Sequence, residues 1–281
     1  YLLHPVLFTF GPFMISSFGV MMVMAFLIGN YLLKKDISDS GFDPMIGEDI
    51  TFRSAIGGIM GAKIYYLIEN ISTGIATQNI NGLIDVFRGV FTLNLTLIGT
   101  GIHNFGSGLV FLGGLIGGTI AVTLYIKKRE LNWLQVTDWI APYLVLGHAI
   151  GRIGCFLVGD CYGVPSNLPW ACVFPKGLPP TDIPVHPTQI YEMSAYFLIF
   201  FYLRFMKNKK YYHGEIFFEY LFLAGIVRFL IEFIRTNPKY IIGLSGAQYI
   251  SLIMVGISTY FLWKMRKNII EINSSIDTNS N

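Results

Sequence analysis

The feature that most restricts the fold of this chain is a series of long apolar runs. Seven runs approach or exceed about 18 residues, the length at which a helix crosses the hydrocarbon core of a bilayer. They cover residues 12–33, 52–70, 106–126, 136–158, 188–206, 215–235 and 246–264. Charged residues make up only 13% of the 281 residues, about half of their share in a soluble domain. A membrane barrel would show short alternating strands instead, so the sequence predicts an all-α integral membrane protein.

The basic residues between these runs predict the orientation of the chain. Twelve of the 20 Lys and Arg follow the first, third, fifth and seventh runs, whereas four lie on the opposite side. Because basic loops stay in the cytoplasm, we expect seven transmembrane helices, with the N-terminus outside and the C-terminus cytoplasmic. The same loops account for the basic balance of the chain, so no nucleic-acid partner is expected.

The segments outside the runs complete the predicted organisation. We expect one seven-span membrane domain over residues 1–265, with external segments near 71–105 and 159–187. The first external segment is predicted to contain one short helix around residues 84–91. Residues 266–281 are predicted to form a polar cytoplasmic tail that is disordered from Glu271 onwards, because it has few apolar residues to bury.

Four basic side chains fall inside the predicted spans, and charges at that depth face a bundle interior or a water-filled cavity. They are Arg53, Lys63, Arg152 and Arg228. Arg53 has a structural explanation because it lies near a helix end, and the long stem of Lys63 allows its ammonium group to reach the membrane surface. Arg152 lies about 17 residues, or roughly 25 Å, along the fourth span. The sequence therefore predicts that Arg152 lies in the outer half of the membrane.

The sixth run contains the stretch RFLIEFIR, in which Arg228, Glu232 and Arg235 share one helical stripe. A buried glutamate between two arginines neutralises one of them and leaves the other for an anion. The alternative is a purely structural ladder of ion pairs. Arginines with acidic partners in the outer half of the membrane suit the phosphate group of a phospholipid.

Five motifs along the chain resemble those of the prolipoprotein diacylglyceryl transferase family. In order, they are HPVLFTFGPF (4–13), FLGGLIGG (111–118), GRIGCFLVGDCYG (151–163), HPTQIYE (186–192) and RFLIEFIR (228–235). The likeness runs from about residue 4 to residue 265. The family moves the diacylglyceryl group of phosphatidylglycerol onto the lipobox cysteine thiol of an exported prolipoprotein, and glycerol phosphate leaves.

The resemblance implies that the chain is a phosphatidylglycerol–prolipoprotein diacylglyceryl transferase, a multi-pass protein of the bacterial cytoplasmic (inner) membrane. The expected partners are phosphatidylglycerol, the signal peptides of prolipoproteins and the lipid bilayer. No cofactor and no metal are implied. The alternative is a non-catalytic phospholipid-binding or lipid-translocating membrane protein that uses the same arginine pocket.

The resemblance also assigns roles to individual residues. Arg152 matches the arginine of the family signature GRxGNFxNxExxG and is the first choice for the phosphate contact, and Arg228 matches an essential arginine of the sixth span. The predicted catalytic residues are Arg152, Asp160, Arg228, Glu232 and His186. The predicted substrate-binding residues are Arg152, Gly163, Cys155, Gly113, Gly114, Tyr191 and Arg235. For Tyr191, membership of an interfacial aromatic belt is the alternative.

The chain departs from the family pattern at several polar positions. The replacements are Cys155 for asparagine, Leu112 for a histidine, Phe18 and Ala224 for tyrosines, and Asp160 for the usual glutamate. Another group must therefore take the proton of the acceptor thiol, and the candidates are Asp160, His148 and His186. For His148, packing in the helix beside Arg152 is the alternative. A disulfide between Cys161 and Cys172 is a further possibility, and it would leave Cys155 unpaired.

Overall fold

The structure, a computed structural model, describes residues 5–10, 13–106, 108, 110–209 and 212–279, with side chains described as far as Lys267 except at positions 10, 13 and 14. The helices in this part of the chain are α1 (Ser17–Asp39), α2 (Met45–Glu69), α3 (Ile75–Phe91), α4 (Leu95–Gly106), α5 (Phe111–Lys128), α6 (Trp133–Val158), α7 (Thr188–Met206), α8 (Glu215–Ile231) and α9 (Gly246–Asn279). Strands β1 (Val6–Phe10) and β2 (Phe13–Ser16) form one small sheet, and β3 (Cys172–Phe174) and β4 (Thr181–Val185) form another. Short 3-10 turns lie at Ile71–Thr73, Lys207–Lys209, Glu232–Ile234 and Ile241–Gly243.

The helical class predicted from the apolar runs is confirmed, because each run overlaps one of the helices α1, α2 and α5 to α9 over most of its length. Within the described residues, four helices are long and apolar enough to cross a membrane: α1, α5, α6 and the Gly246–Lys267 part of α9. The chain is therefore a helical membrane protein. Crossing by α2, α7 and α8 stays a prediction, and so do the count of seven spans and the positions of the termini.

The secondary structure differs from the sequence predictions in three places. The first helix begins at Ser17 rather than near residue 12, because β1 and β2 pair with each other before it. The segment between α2 and α5 contains two helices, α3 and α4, instead of one. The prediction of a disordered tail from Glu271 is wrong, since α9 continues to Asn279. That tail contains no glycine or proline, and adding residues to an existing helix avoids the unfavourable nucleation step.

Some residues used in the sequence predictions lie outside the described part of the chain. They are His4, Gly11, Pro12, Ser107, Leu109 and Lys210, together with positions 280–281.

The chain divides into two compact units. One comprises residues 1–5, 16–36 and 134–281, and the other comprises residues 6–15 and 37–133. A single membrane domain over residues 1–265 stays a prediction.

In the second unit, α2 and α5 approach each other through glycines. A Cβ atom added to Gly61 would lie 2.3 Å from the carbonyl oxygen of Gly113, so only a glycine fits at this crossing. Nearby, Lys63 is buried, and its Nζ donates hydrogen bonds to Asn79 Oδ1 and to the carbonyl oxygen of Phe105. The suggestion that Lys63 extends to the membrane surface is therefore wrong.

In the first unit, α6 supplies much of the core, and its Val145 and Ala149 side chains are fully buried. Near the start of α6, Asp138 accepts hydrogen bonds from the backbone nitrogens of Gly214, at 2.8 Å, and Phe217, at 3.0 Å. These bonds satisfy donors at the beginning of α8 that have no partner inside that helix. The beginnings of α6 and α8 therefore lie together.

A second polar cluster lies at the same end of this unit. Asp36 on α1 forms ion pairs with Arg204 of α7 and, at 3.0 Å, with Lys207, and it accepts a hydrogen bond from the hydroxyl of Tyr143 on α6. Arg204 lies near the end of α7, whereas Tyr143 lies in the first half of α6. Helix α7 therefore runs antiparallel to α6, and its beginning lies beside the end of α6.

Candidate active site

Three helices of the first unit bring charged side chains together around one buried glutamate. Glu192, near the beginning of α7, is fully buried. Its Oε1 accepts a hydrogen bond from Arg228 Nη1 of α8 at 2.9 Å, and its Oε2 pairs with Arg152 Nε of α6. Because Arg152 and Arg228 bind the same carboxylate, the two arginines that the sequence analysis placed in one site do lie side by side.

The 3-10 turn after α8 adds two more charges to this group. Glu232 Oε2 pairs with Arg228 Nη2 at 2.8 Å, which is the i,i+4 contact expected from the spacing. Glu232 is buried, and its other oxygen accepts a hydrogen bond from Asn237 Nδ2 at 2.6 Å. Arg235 Nη1 lies 4.0 Å from Glu192 Oε2, and Arg235 Nε lies 3.9 Å from Glu232 Oε2.

We call Arg152, Arg228, Arg235, Glu192 and Glu232 the arginine–glutamate cluster. Its three guanidinium groups and two carboxylates leave one positive charge uncompensated within the cluster. Each guanidinium group carries five N–H donors in a fixed plane, and the carboxylates use only some of them. The cluster can therefore bind an anion, which agrees with the sequence hypothesis that glutamate neutralises only part of the arginine charge.

The turn that follows α6 is held in place by residues of the HPTQIYE stretch. Thr188 Oγ1 donates a hydrogen bond to the carbonyl oxygen of Cys161 at 2.6 Å, and Gln189 Nε2 donates one to the carbonyl oxygen of Asp160. Both side chains are buried. At the end of the turn, a Cβ added to Gly163 would lie 2.5 Å from the carbonyl oxygen of Ile234. Gly163 therefore allows this turn to contact the segment that carries Arg235, and its role in substrate binding stays a prediction.

The end of α6 and the turn after it place two thiols and a carboxylate beside the arginines. Ligand atoms of Cys155, Asp160 and Cys161 all lie within 4.8 Å of one another, and we call these three residues the thiol–carboxylate cluster. Arg152 Nη1 donates a hydrogen bond to Cys155 Sγ at 3.8 Å. Burial raises the pKa of the Asp160 carboxyl to about 6. A hydrogen bond from Cys155, together with the charge of Arg235, lowers the pKa of the Cys161 thiol.

The described thiols are all free, so the possible disulfide between Cys161 and Cys172 is not formed. Cys172 lies in β3, and its Sγ contacts the carbonyl oxygen of Trp170 at 3.5 Å. Cys161 Sγ instead lies within 4.8 Å of the sulfur of Cys155, which was expected to be the unpaired thiol.

His186 and Tyr191 form a separate contact. His186 Nδ1 lies 3.3 Å from the Tyr191 hydroxyl oxygen, which also accepts a hydrogen bond from Trp170 Nε1 at 2.6 Å. The contacts described for these side chains join them to each other and not to the arginine–glutamate cluster. Roles for His186 in catalysis and for Tyr191 in substrate binding stay predictions.

The remaining residues selected from the sequence pack in helices. Gly113 and Gly114 belong to the second unit, where they contact Gly61 and Gly58 of α2. Their predicted role in substrate binding stays a prediction. The His148 ring packs against Tyr196 and Tyr220 at 5.4 and 6.1 Å between ring centroids, which favours the packing alternative for this residue.

Comparison with known proteins identifies the family of the chain. Residues 5–264 match the sequence profile of prolipoprotein diacylglyceryl transferases. The chain belongs to this family. The resemblance found in the sequence is thus confirmed, and the match covers nearly the whole chain, including both clusters.

Individual members of the prolipoprotein diacylglyceryl transferase family are similar along their full length. A phosphatidylglycerol–prolipoprotein diacylglyceryl transferase of Clostridium tetani is 34% identical over 94% of this chain and 100% of its own length. One from Clostridioides difficile is 33% identical over 94% of this chain and 97% of its own length. A protein from Clostridium perfringens with the same name and the number 2 is 30% identical over 90% of this chain and 92% of its own length.

Sequence reasoning missed Glu192, which pairs with all three arginines of the arginine–glutamate cluster. Glu192 was visible as the last residue of HPTQIYE and as a carboxylate within a predicted span, where charges mark functional positions. Counting only the basic residues inside the spans passed over it. Thr188 and Gln189 gave no comparable signal, because polar residues at a helix start are common and their targets are backbone carbonyl groups distant in sequence.

Proposed function

We propose that this protein transfers the diacylglyceryl group of phosphatidylglycerol to the lipobox cysteine thiol of an exported prolipoprotein in the bacterial cytoplasmic membrane. One observation carries the proposal: an arginine–glutamate cluster with buried carboxylates and one surplus positive charge, in a chain that belongs to the family. The phosphate group of a lipid supplies the single negative charge that this cluster lacks. The signal peptide and the bilayer are the corresponding protein and lipid partners.

The charge change during the reaction fits the arginines. The acceptor thiolate attacks the glyceryl carbon bonded to the phosphate ester, a carbon–sulfur bond forms, and the carbon–oxygen bond breaks. The phosphodiester begins with one negative charge and leaves as a phosphomonoester with two. Guanidinium groups already fixed by Glu192 and Glu232 stabilise this developing charge without reorganising, which is the usual basis of electrostatic catalysis.

Proton transfer is assigned to Asp160. A thiol must lose its proton before it attacks, and a base is most effective when its pKa lies near the working pH. Burial raises the pKa of Asp160 to about 6, so near neutral pH it is mainly ionised and able to accept the proton. The proton then passes to the departing phosphomonoester, whose second pKa is about 6, and the carboxylate is regenerated.

The proposed topology places the arginine–glutamate cluster in the outer half of the membrane. Its residues lie at the ends of α6 and α8 and at the beginning of α7. The basic residues Arg204 and Lys207 lie at the opposite end of α7, where Asp36 holds them. Since basic ends stay in the cytoplasm, the cluster lies at the external end, where exported prolipoproteins arrive. Seven spans with the N-terminus outside follow from the same rule.

A transfer assay tests this function. Purified protein is mixed with phosphatidylglycerol and a lipobox peptide, and the diacylglyceryl peptide is measured by mass spectrometry. Arg152→Lys is expected to reduce kcat/KM at least about tenfold, because an ammonium group cannot make the bidentate phosphate contact. The matched control is Arg129→Lys, because Arg129 lies in the other unit and its side chain is 57% exposed.

Two further measurements separate the transferase from the alternative. Expression of the protein in cells depleted of their own transferase is expected to restore lipoprotein maturation. A wild-type protein that binds phosphatidylglycerol but never modifies the peptide, and fails to restore maturation, would instead support the non-catalytic lipid-binding function.

A further inference from the structure

The geometry points to a binding site for a soft divalent cation such as Zn²⁺ or Cd²⁺, formed by Cys155 Sγ, Cys161 Sγ and a carboxylate oxygen of Asp160. This site adjoins the arginine–glutamate cluster but is distinct from it. It rests on the thiol–carboxylate cluster alone and goes beyond the proposed transferase activity, for which no metal is needed.

The separations within the thiol–carboxylate cluster suit such a cation. The three ligand atoms lie within 4.8 Å of one another. Around a tetrahedral zinc ion with bonds of about 2.3 Å, ligand atoms are about 3.8 Å apart. Closing the cluster onto an ion therefore needs shifts of about 1 Å or less, which side-chain rotations can supply.

A second observation indicates that one ligand is ready to bind. Asp160 Oδ1 is buried and has no hydrogen-bond partner within the described part of the chain. An unsatisfied buried acceptor is unfavourable, and buried polar atoms left in this way often have an ion or a water as partner. A cation bound between Asp160 and the two thiols would satisfy this oxygen.

The backbone holds the ligands in place before any cation arrives. The backbone nitrogen of Asp160 donates a hydrogen bond to the carbonyl oxygen of Cys155 at 3.1 Å, which closes the end of α6. Thr188 and Gln189 fix the carbonyl groups of Cys161 and Asp160 from α7. Cys161 adopts a φ of 61°, a conformation that is uncommon for a residue other than glycine. The end of α6 and the turn after it therefore bring both thiols and the carboxylate together.

The surrounding charges select the kind of cation. Two thiolates and one carboxylate carry three negative charges, so the site with a divalent cation keeps one. The neighbouring arginine–glutamate cluster carries one surplus positive charge, and Arg152 lies at Cys155 Sγ. The arginines favour ionised thiols and disfavour a cation held by charge alone. Soft cations with strong bonds to sulfur are therefore preferred, and Mg²⁺ and Ca²⁺, which prefer oxygen ligands, are disfavoured.

Cadmium titration tests the site directly, because cadmium–thiolate bonds give an ultraviolet charge-transfer band. Reduced full-length protein in detergent, without lipid, is titrated with Cd²⁺, and binding is measured from this band and from the metal content. The wild type is expected to bind one Cd²⁺ per chain. Cys155→Ser and Cys161→Ser are each expected to weaken binding at least about tenfold and to lose about half of the band, since each removes one of two thiolate ligands.

Two other variants complete the experiment. Cys172→Ser is the matched control, because Cys172 is also a free, partly exposed thiol but lies in β3 outside the cluster. It is expected to bind as the wild type does. Asp160→Asn is expected to weaken binding while keeping the band, because it changes an oxygen ligand and leaves both sulfurs.

Three results would overturn the inference. They are no binding to the reduced wild type, a band that persists unchanged in Cys161→Ser, and a band that depends on Cys172. Circular dichroism and thermal unfolding verify that each variant is folded. If Cys161→Ser is not folded, Cys161→Ala replaces it. Because no lipid or peptide is present, cadmium binding and transferase activity can fail independently of each other.

Discussion

Neutralising Glu192 is the perturbation that most directly probes the arginine–glutamate cluster. Its carboxylate binds Arg152 and Arg228 directly and lies 4.0 Å from Arg235, and its side chain is fully buried. Glu192→Gln keeps the shape of the side chain and one acceptor oxygen but removes the charge. The surplus positive charge of the cluster rises from one to two, with Glu232 as the remaining carboxylate.

The expected loss of stability follows from the burial of the partners. Removing one member of a buried ion pair costs about 3–5 kcal/mol. The Arg152 and Arg228 side chains remain 20% and 24% exposed, so water relieves part of this penalty. We therefore expect the free energy of unfolding to fall by about 3 kcal/mol, at the lower end of that range. The measurement is reversible unfolding of the purified protein in mild detergent.

Two controls distinguish charge from shape. Glu219→Gln makes the same chemical change on α8, in a separate cavity lined by Tyr202 and Arg266, and is expected to have a much smaller effect. In the double variant Glu192→Gln, Arg152→Gln, the unpaired guanidinium group is also removed. Its stability is expected to be higher than that of Glu192→Gln alone, because the surplus positive charge returns from two to one and the two changes are therefore not additive.

An anionic lipid provides the decisive comparison. Phosphatidylglycerol supplies a negative charge to the cluster, so it is expected to stabilise Glu192→Gln more than the wild type, whereas a zwitterionic lipid is not. A Glu192→Gln protein within about 0.5 kcal/mol of the wild type, the usual range for surface substitutions, would refute the view that Glu192 organises the arginines.

Three other predictions concern the turn after α6 and the orientation of the chain. Gly163→Ala places a Cβ 2.5 Å from a backbone carbonyl oxygen and is expected to lower the unfolding free energy by about 1–3 kcal/mol, whereas Gly147→Ala, with no atom within 4 Å, should not. With chelator present, transfer activity is expected to fall as the pH drops below about 6, because burial raises the pKa of Asp160 to about 6 and protonation removes the base; an Asp160→Asn protein with the same pH profile would exclude this role. After native thiols are blocked, an impermeant reagent added outside is expected to label a cysteine at Ser166 and not one at Asn208, and the reverse pattern would invert the proposed topology.

The sequence determined the helices and part of the site. Apolar runs of membrane-spanning length can bury their backbone polar groups only as helices, so their positions are visible without any tertiary information. The Arg228–Glu232 contact was also predictable, because residues four apart on a helix always share a face. The family followed from motifs that are local in sequence and occur in a fixed order.

Only the tertiary structure decided which distant residues meet. Arg152 and Arg228 share the carboxylate of Glu192 because α7 runs antiparallel to α6 and α8, and nothing in the spacing of any one helix specifies that meeting. The proximity of Cys155 and Cys161 depends equally on a turn fixed by side chains of α7. Local periodicity specifies the face of a helix, whereas the partner of that face is selected by packing between segments that are far apart in the chain.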